Sequence, residues 1–181
     1  MTVIVGMIDK VSKKVIMGAD SQGSNGLNKT TRKDVKIFKN KDFVIGCTSS
    51  YRMVQLLRFS FTPPPIDGKD IYEYMCSDFI NKVRECFKDG GYLQKDNGGD
   101  DKGGTFLVGY KDRLFKIEGD FQVGESAEGF YSCGCGEDFA LGSLYTTRKE
   151  YIPTKNKVLK ALESAEYLAL GVGKPFVILT T

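Results

Sequence analysis

The stretch MTVIVGMIDKVSKKVIMGADS (residues 1–21) decides how the rest of the chain is read. Thr2–Ile8 is rich in β-branched and apolar residues, and Val15–Met17 is a second short apolar run. The polar segment Asp9–Lys14 between them has turn composition, so the pattern predicts a β-hairpin. Two features are odd for such a hairpin. It starts at the second residue, and it runs through Gly18 and Ala19 into a carboxylate, Asp20, and a hydroxyl, Ser21. Taken alone, Thr2 is an ordinary strand residue and Asp20 an ordinary turn or cap residue. Their meaning depends on residues further along the chain.

Outward from that hairpin, the Gly/Asn/Ser-rich SQGSNGLNKTT (21–31) reads as a loop. Val35–Lys39 alternates as a half-buried strand does, Asn40-Lys41-Asp42 is a turn, and Phe43–Ser50 is the partner strand leaving into a loop of small residues. Tyr51–Phe61 has a helical apolar face, stopped by three prolines at 63–65. The segment 69–89 carries Ile71, Tyr74, Met75, Phe79, Ile80, Val83 and Phe87 at helical spacing. A polar, Gly-rich stretch (90–104) reads as a flexible, exposed loop. Thr105–Tyr110 and Arg113–Gly119 form another hairpin, and 136–147 is a small-residue turn opening a helix. Asn156–Leu170 is a helix with Asn156 as cap and Gly171 as stop, and Lys174–Leu179 is a last strand that Pro175 confines to an edge. Helices in two blocks with antiparallel hairpins outside them predict an α+β fold, two facing sheets with helices on both outer surfaces.

A length of 181 residues with no interdomain linker predicts one domain, 1–181. The apolar fraction of 41% and charged fraction of 27% are those of a soluble globular protein. No apolar run approaches a membrane span, and no signal peptide is visible. The net charge of +3 is weak. Its most basic stretch, Lys29–Lys41, is broken by apolar residues and reads as a solvated sheet edge, not a nucleic-acid surface. The five cysteines (Cys47, Cys76, Cys86, Cys133, Cys135) are an odd number and read as reduced, which places the chain in the cytoplasm. They lack paired ligand spacing, and no metal or cofactor is expected. The chain has no histidine, which excludes a Ser-His-Asp triad, a Cys-His dyad and His-ligated zinc. Any general base must be a carboxylate, a lysine, a tyrosine or an α-amine.

Order and spacing of short motifs then carry a resemblance. Thr2-Val3-Ile4-Val5 is followed by Gly18-Ala19-Asp20-Ser21, Lys36-Ile37-Phe38-Lys39, Gly46-Cys47-Thr48-Ser49-Ser50 and Gly134-Cys135-Gly136. This series resembles the proteasome β-subunit family of N-terminal nucleophile (Ntn) hydrolases over essentially the whole chain, and looks most like its compact bacterial or phage members. The resemblance implies a four-layer αββα sandwich. It implies that Thr2 is the nucleophile of a threonine peptidase once Met1 is removed, its own α-amine acting as base; an α-amine has an intrinsic pKa of about 8. It implies that the Lys36 ammonium favours deprotonation of Thr2, that Asp20 neutralises and orients Lys36, and that Cys135 adjoins the terminal amine. Lys33 and Lys39 compete for the role of Lys36. The apolar pair Ile37-Phe38 directly after it decides for Lys36, because Asp34-Val35 follows Lys33. Amides of the Ser49-Ser50 turn would form the oxyanion hole, and Gly23, Asp34, Thr48 and Arg52 would line the substrate pocket. As partners the resemblance implies peptide or unfolded-protein substrates, a homo-oligomeric ring and an ATP-dependent unfoldase, with no nucleic acid and no membrane.

Three departures qualify that reading. Cys135 stands where the family usually has Ser, and a thiol is the weaker donor and acceptor. Tyr167 and Leu170 occupy the places of a usual Asp and Ser. Thr48-Ser49-Ser50-Tyr51-Arg52 is bulkier than the usual Gly-rich loop. If Met1 stays on, Thr2 has no free amine. Two other readings therefore stand beside the peptidase: an Ntn amidohydrolase acting on small amides, and a catalytically silent proteasome-like shell or assembly protein.

Overall fold

The computed structural model describes residues 1–25, 27–95 and 101–181. In chain order the elements are β1 (Val3–Asp9), β2 (Lys14–Ala19), β3 (Gln22–Asn25), β4 (Asn28–Thr31), β5 (Ile37–Asn40), β6 (Phe43–Cys47) and α1 (Tyr51–Phe59). Next come α2 (Ile71–Tyr74), which runs through a π-helical turn (Met75–Phe79) into α3 (Ile80–Asp89), then β7 (Gln94–Lys95), β8 (Asp101–Lys102), β9 (Phe106–Tyr110) and β10 (Arg113–Ile117). The chain continues with β11 (Val123–Glu125), β12 (Phe130–Gly134), α4 (Glu137–Thr147), α5 (Thr154–Leu168) and β13 (Val177–Thr180).

Two antiparallel sheets face each other, one in the order β12-β1-β2-β13 and the other β11-β10-β9-β6-β5. Strand periodicity places three cores. Ile4, Val15, Met17 and Ala19 of the first sheet meet Ile37, Val44, Leu107 and Leu114 of the second. Val3, Val5 and Met7 point the other way and pack under α4 and α5. Phe38, Phe43, Ile45 and Cys47 pack under α1 to α3. The fold is the expected four-layer αββα sandwich, and β1 is apolar on both faces because both faces are covered. The sheets approach so closely at Gly46 that an added Cβ would sit 2.6 Å from Ile4 Cγ2 and 2.7 Å from Met17 Sδ. Among the described residues no helix is long and apolar enough to cross a membrane.

Several elements differ from the sequence reading. Residues 21–31, expected as a loop, contain the β3–β4 hairpin, paired from Gln22↔Thr31 to Asn25↔Asn28. The side chains of β4 are polar and exposed, so no apolar alternation announces the hairpin. In the Gly-rich 90–104 stretch, β7 pairs with β8; of that expected loop, residues 96–100 lie outside the described residues. Strand β12 carries no clear signal in the sequence, because FYSCG puts two aromatics before three small residues and shows no apolar/polar alternation, yet it pairs with β1 from Val3↔Gly134 to Met7↔Phe130. Asn156 is not a cap. Helix α5 starts at Thr154, and the Pro153 carbonyl accepts from the amides of Asn156 and Lys157. Proline fits that boundary because its fixed φ suits the entry to a helix. The helix stops at Leu168, with Gly171 beyond its end. The last strand starts at Val177, three residues later than expected, and β13 is an edge strand pairing with β2.

Candidate active site

The hairpin that opens the chain brings its two odd features together. Ile4 pairs with Ala19, so Asp20 emerges opposite Val3 and beside Thr2. Strand β5 begins at Ile37, and the Cys47 amide donates to the Lys36 carbonyl at 3.0 Å, which fixes Lys36 at the same end of the facing sheet. Lys36 Nζ then reaches Asp20 Oδ1 at 2.8 Å, with side chains 2% and 0% exposed. The two carboxylate oxygens of Asp20 also accept from the amides of Val3 (3.0 Å), Gln22 (3.1 Å) and Gly173 (3.3 Å). An unpaired charge at such depth is strongly destabilising, and the three amides fill the carboxylate's remaining lone pairs. Burial pushes Lys36 below the usual lysine range, and the Asp20 charge and hydrogen bond oppose that shift. Lys33 and Lys39, its competitors in sequence, are exposed.

Thr2 is 6% exposed. Its hydroxyl donates to the carbonyl of Met1, and Lys36 Nζ lies 3.4 Å from that same oxygen. With the Met1–Thr2 bond intact, Thr2 N is a peptide amide and donates to Cys135 Sγ at 3.2 Å. The Cys135 thiol in turn donates to the Thr2 carbonyl at 3.4 Å. The whole Thr2 peptide unit is clasped by the Gly134-Cys135-Gly136 turn, whose Gly136 amide also donates to Thr2 O at 3.3 Å. Gly134 makes this possible. Its φ is +103°, and a Cβ there would lie 2.3 Å from Thr2 O. Gly171 closes the other side, where a Cβ would meet Met1 Cβ at 2.2 Å and Cys135 Sγ at 2.8 Å. Neither glycine stands out by itself in the sequence. The Gly-Cys-Gly tripeptide signals the first, and nothing marks the second.

A pocket of about 100 Å³ is lined by Thr2 and Lys36 together with Gly23, Thr48, Ser49, Ser50, Tyr51 and Val54. Ser49 has φ +59°, and the Ser50 amide turns back onto the Thr48 carbonyl at 2.6 Å. The Ser50 hydroxyl caps α1 by accepting from the Arg52 amide. The Thr48 amide is held by the Thr105 carbonyl at 3.1 Å. Of the expected oxyanion donors, the Ser50 amide is thus taken up within the turn, and the Ser49 amide makes no hydrogen bond among the described residues. Of the four residues expected around a substrate, Gly23 and Thr48 line this cavity and Asp34 and Arg52 do not. Asp34 forms a two-pronged ion pair with Arg32, whose guanidinium lies 3.9 Å over the ring of Tyr51, a residue that lines the pocket. Arg52 points instead to the Gly90 carbonyl at 3.3 Å. Tyr51, which the sequence marks only as part of a bulkier loop, has a buried hydroxyl with no hydrogen-bond partner among the described residues, and burial pushes its pKa up to about 12. Tyr167 and Leu170 are almost fully exposed and line a separate, larger cleft of about 480 Å³ that contains neither Thr2 nor Lys36.

No protein-family model matches the chain, and no curated relative matches it either. Solved structures do. BPH of Thiobacillus denitrificans, in a structure with epoxomicin, superposes with a TM-score of 0.81 at 20% identity, covering 99% of this chain and 98% of that one. HslV from Trypanosoma brucei gives 0.69 at 16% identity, covering 99% and 98%. Anbu from Pseudomonas aeruginosa, described as a helical assembly, gives 0.69 at 16%, covering 99% of this chain and 81% of that one. At such identities the shared property is the fold: this chain has the architecture of the proteasome-β-like Ntn hydrolases that its motifs resemble.

Proposed function

We propose that this chain is a threonine peptidase subunit in which Thr2 becomes the nucleophile when the Met1–Thr2 bond is cut. The observation that carries the reading is the buried Lys36–Asp20 pair directed at the Thr2 end of β1. Nothing in the packing of a sandwich needs an ion pair at that depth, where two apolar side chains of similar size would serve as well or better. The cut turns Thr2 N from an amide into an amine within 3.2 Å of Cys135 Sγ. That amine accepts the Thr2 hydroxyl proton, and the nearby ammonium lowers its pKa so that the free base is populated near neutral pH. The hydroxyl oxygen attacks a peptide carbonyl, the Ser49 amide stabilises the developing oxyanion, the amine protonates the leaving group, and water releases the acyl ester. Nucleophile and base being one residue suits a chain without histidine.

The assembly that goes with this reading is a homo-oligomeric ring enclosing the sites, supplied with unfolded protein by an ATP-dependent unfoldase; sedimentation of the processed chain as a monomer would contradict it. A cytoplasmic location goes with this reading. The functional test uses the chain produced with Thr2 as its first residue. It should hydrolyse fluorogenic peptide amides, and Thr2→Ala should be inert. Turnover of small amides alone would favour the amidohydrolase. The silent-shell reading is favoured by the exposure of Tyr167 and Leu170, whose side chains line a different cleft from that over Thr2, and it predicts assembly without turnover of either substrate class.

A further inference from the structure

Strand β1 spans seven residues, so the end of the sandwich beyond Asp9 lies about 20 Å from Thr2. At that end a cleft of about 510 Å³ is lined by Lys13, Lys14, Lys39, Lys41 and Lys111, with Asp42 as the one acidic side chain in its wall and Thr181 beside it. All five lysines are exposed, and among the described residues none forms an ion pair. Lys41 Nζ bonds only a carbonyl, that of Pro63 at 3.2 Å. Five like charges around one concavity repel one another and favour an anion there.

The backbone supplies an independent sign. Asn40 pairs with Phe43 and Tyr110 with Arg113, so both hairpins have two-residue loops, Lys41-Asp42 and Lys111-Asp112. In each the first loop residue is left-handed, with φ +51° at Lys41 and at Lys111, and Lys13 at the third tip has φ +56°. Such positions favour Gly or Asn, so a lysine there carries a backbone cost that glycine would not. Three separate turns thus carry a left-handed lysine, at the first place of two two-residue loops and at the last place of the four-residue loop 10–13, and all three lysines line one cleft.

We infer that this cleft docks an acidic polypeptide segment of a partner protein. Carboxylates suit ammonium groups acting as point charges. A nucleic acid would call for arginine forks to phosphate, exposed aromatic faces for stacking and a far larger surface; among the described residues the lining holds no arginine, and its one aromatic ring, Phe43, is buried. The site is independent of the chemistry at Thr2 and stands or falls separately from it.

Fluorescence anisotropy with a labelled oligoglutamate decamer tests the inference on the full chain, alongside a single-stranded oligonucleotide of equal length. The wild type should bind oligoglutamate more tightly than the oligonucleotide, with affinity falling as salt rises from about 0.05 to 0.2 M. Lys41→Gly/Lys111→Gly should weaken binding roughly tenfold or more while leaving thermal stability equal or higher, because glycine relieves the left-handed positions. Peptidase activity should be unchanged. Equal binding by wild type and variant, no binding by the wild type, or tighter binding of the oligonucleotide would each overturn it.

Discussion

Replacing Asp20 by Asn isolates the interaction on which the site is built. The carboxylate accepts four hydrogen bonds, from Lys36 Nζ at 2.8 Å and from three backbone amides between 3.0 and 3.3 Å. Asparagine keeps one acceptor oxygen, turns an NH2 group toward a donor, and leaves the Lys36 ammonium, 2% exposed, without a counter-charge. Breaking a buried pair from one side costs about 3–5 kcal/mol. For a chain of this length each kcal/mol moves Tm by about 2–4 °C, so the expected fall is about 6–20 °C. Circular dichroism melts at one fixed protein concentration measure it, since assembly would make Tm concentration-dependent. The control is Asp34→Asn, which breaks the half-exposed pair with Arg32 (side chains 39% and 45% exposed) and should cost less than about 1 kcal/mol. Asp20→Asn/Lys36→Met should recover part of the loss, because no buried charge is stranded. A fall no greater than that of Asp34→Asn, or a double variant as unstable as the two single losses added, would refute the reasoning.

Three further outcomes rest on the same geometry. Gly134→Ala should destabilise the chain by about 2 kcal/mol or more and abolish turnover, since its Cβ would collide with the Thr2 carbonyl and backbone cannot yield as a side chain can; melting and peptide assays read both effects. With Cys135 beside Thr2 N, Cys135→Ser should give kcat/KM equal to or above wild type, whereas Cys135→Ala should lower it roughly tenfold by removing the side-chain partner of that nitrogen. The pH profile of kcat/KM should fall on its alkaline side below the ordinary lysine value of 10.5, because burial lowers Lys36 and the protonated form is the one that activates Thr2.

How far the site is legible in the sequence depends on which residues speak through periodicity. Val3, Ile4 and Val5 show their strand directly, because both faces of β1 are packed. The register of that one hairpin already places Asp20 beside Thr2. Lys36 is identifiable by the apolar pair after it, whose side chains are buried at the start of β5. By contrast, strand β4 of the polar β3–β4 hairpin buries nothing, so no alternation reveals it. The roles of Gly134 and Gly171 depend on backbone approaches between segments more than 100 residues apart, which no local pattern encodes. Asp34 and Arg52 fall outside the pocket because each finds a nearer polar partner, Arg32 and the Gly90 carbonyl.

The most direct test of Thr2 as an N-terminal nucleophile is intact-mass analysis of the chain with a free Thr2 amine, before and after exposure to an epoxyketone, a reagent that captures the hydroxyl and amine of one residue. The geometry of Thr2, Lys36 and Asp20 predicts a single adduct that peptide mapping places on Thr2, absent from Thr2→Ala and strongly slowed in Lys36→Ala. No adduct on the freed chain, or an adduct confined to Cys135, would contradict it.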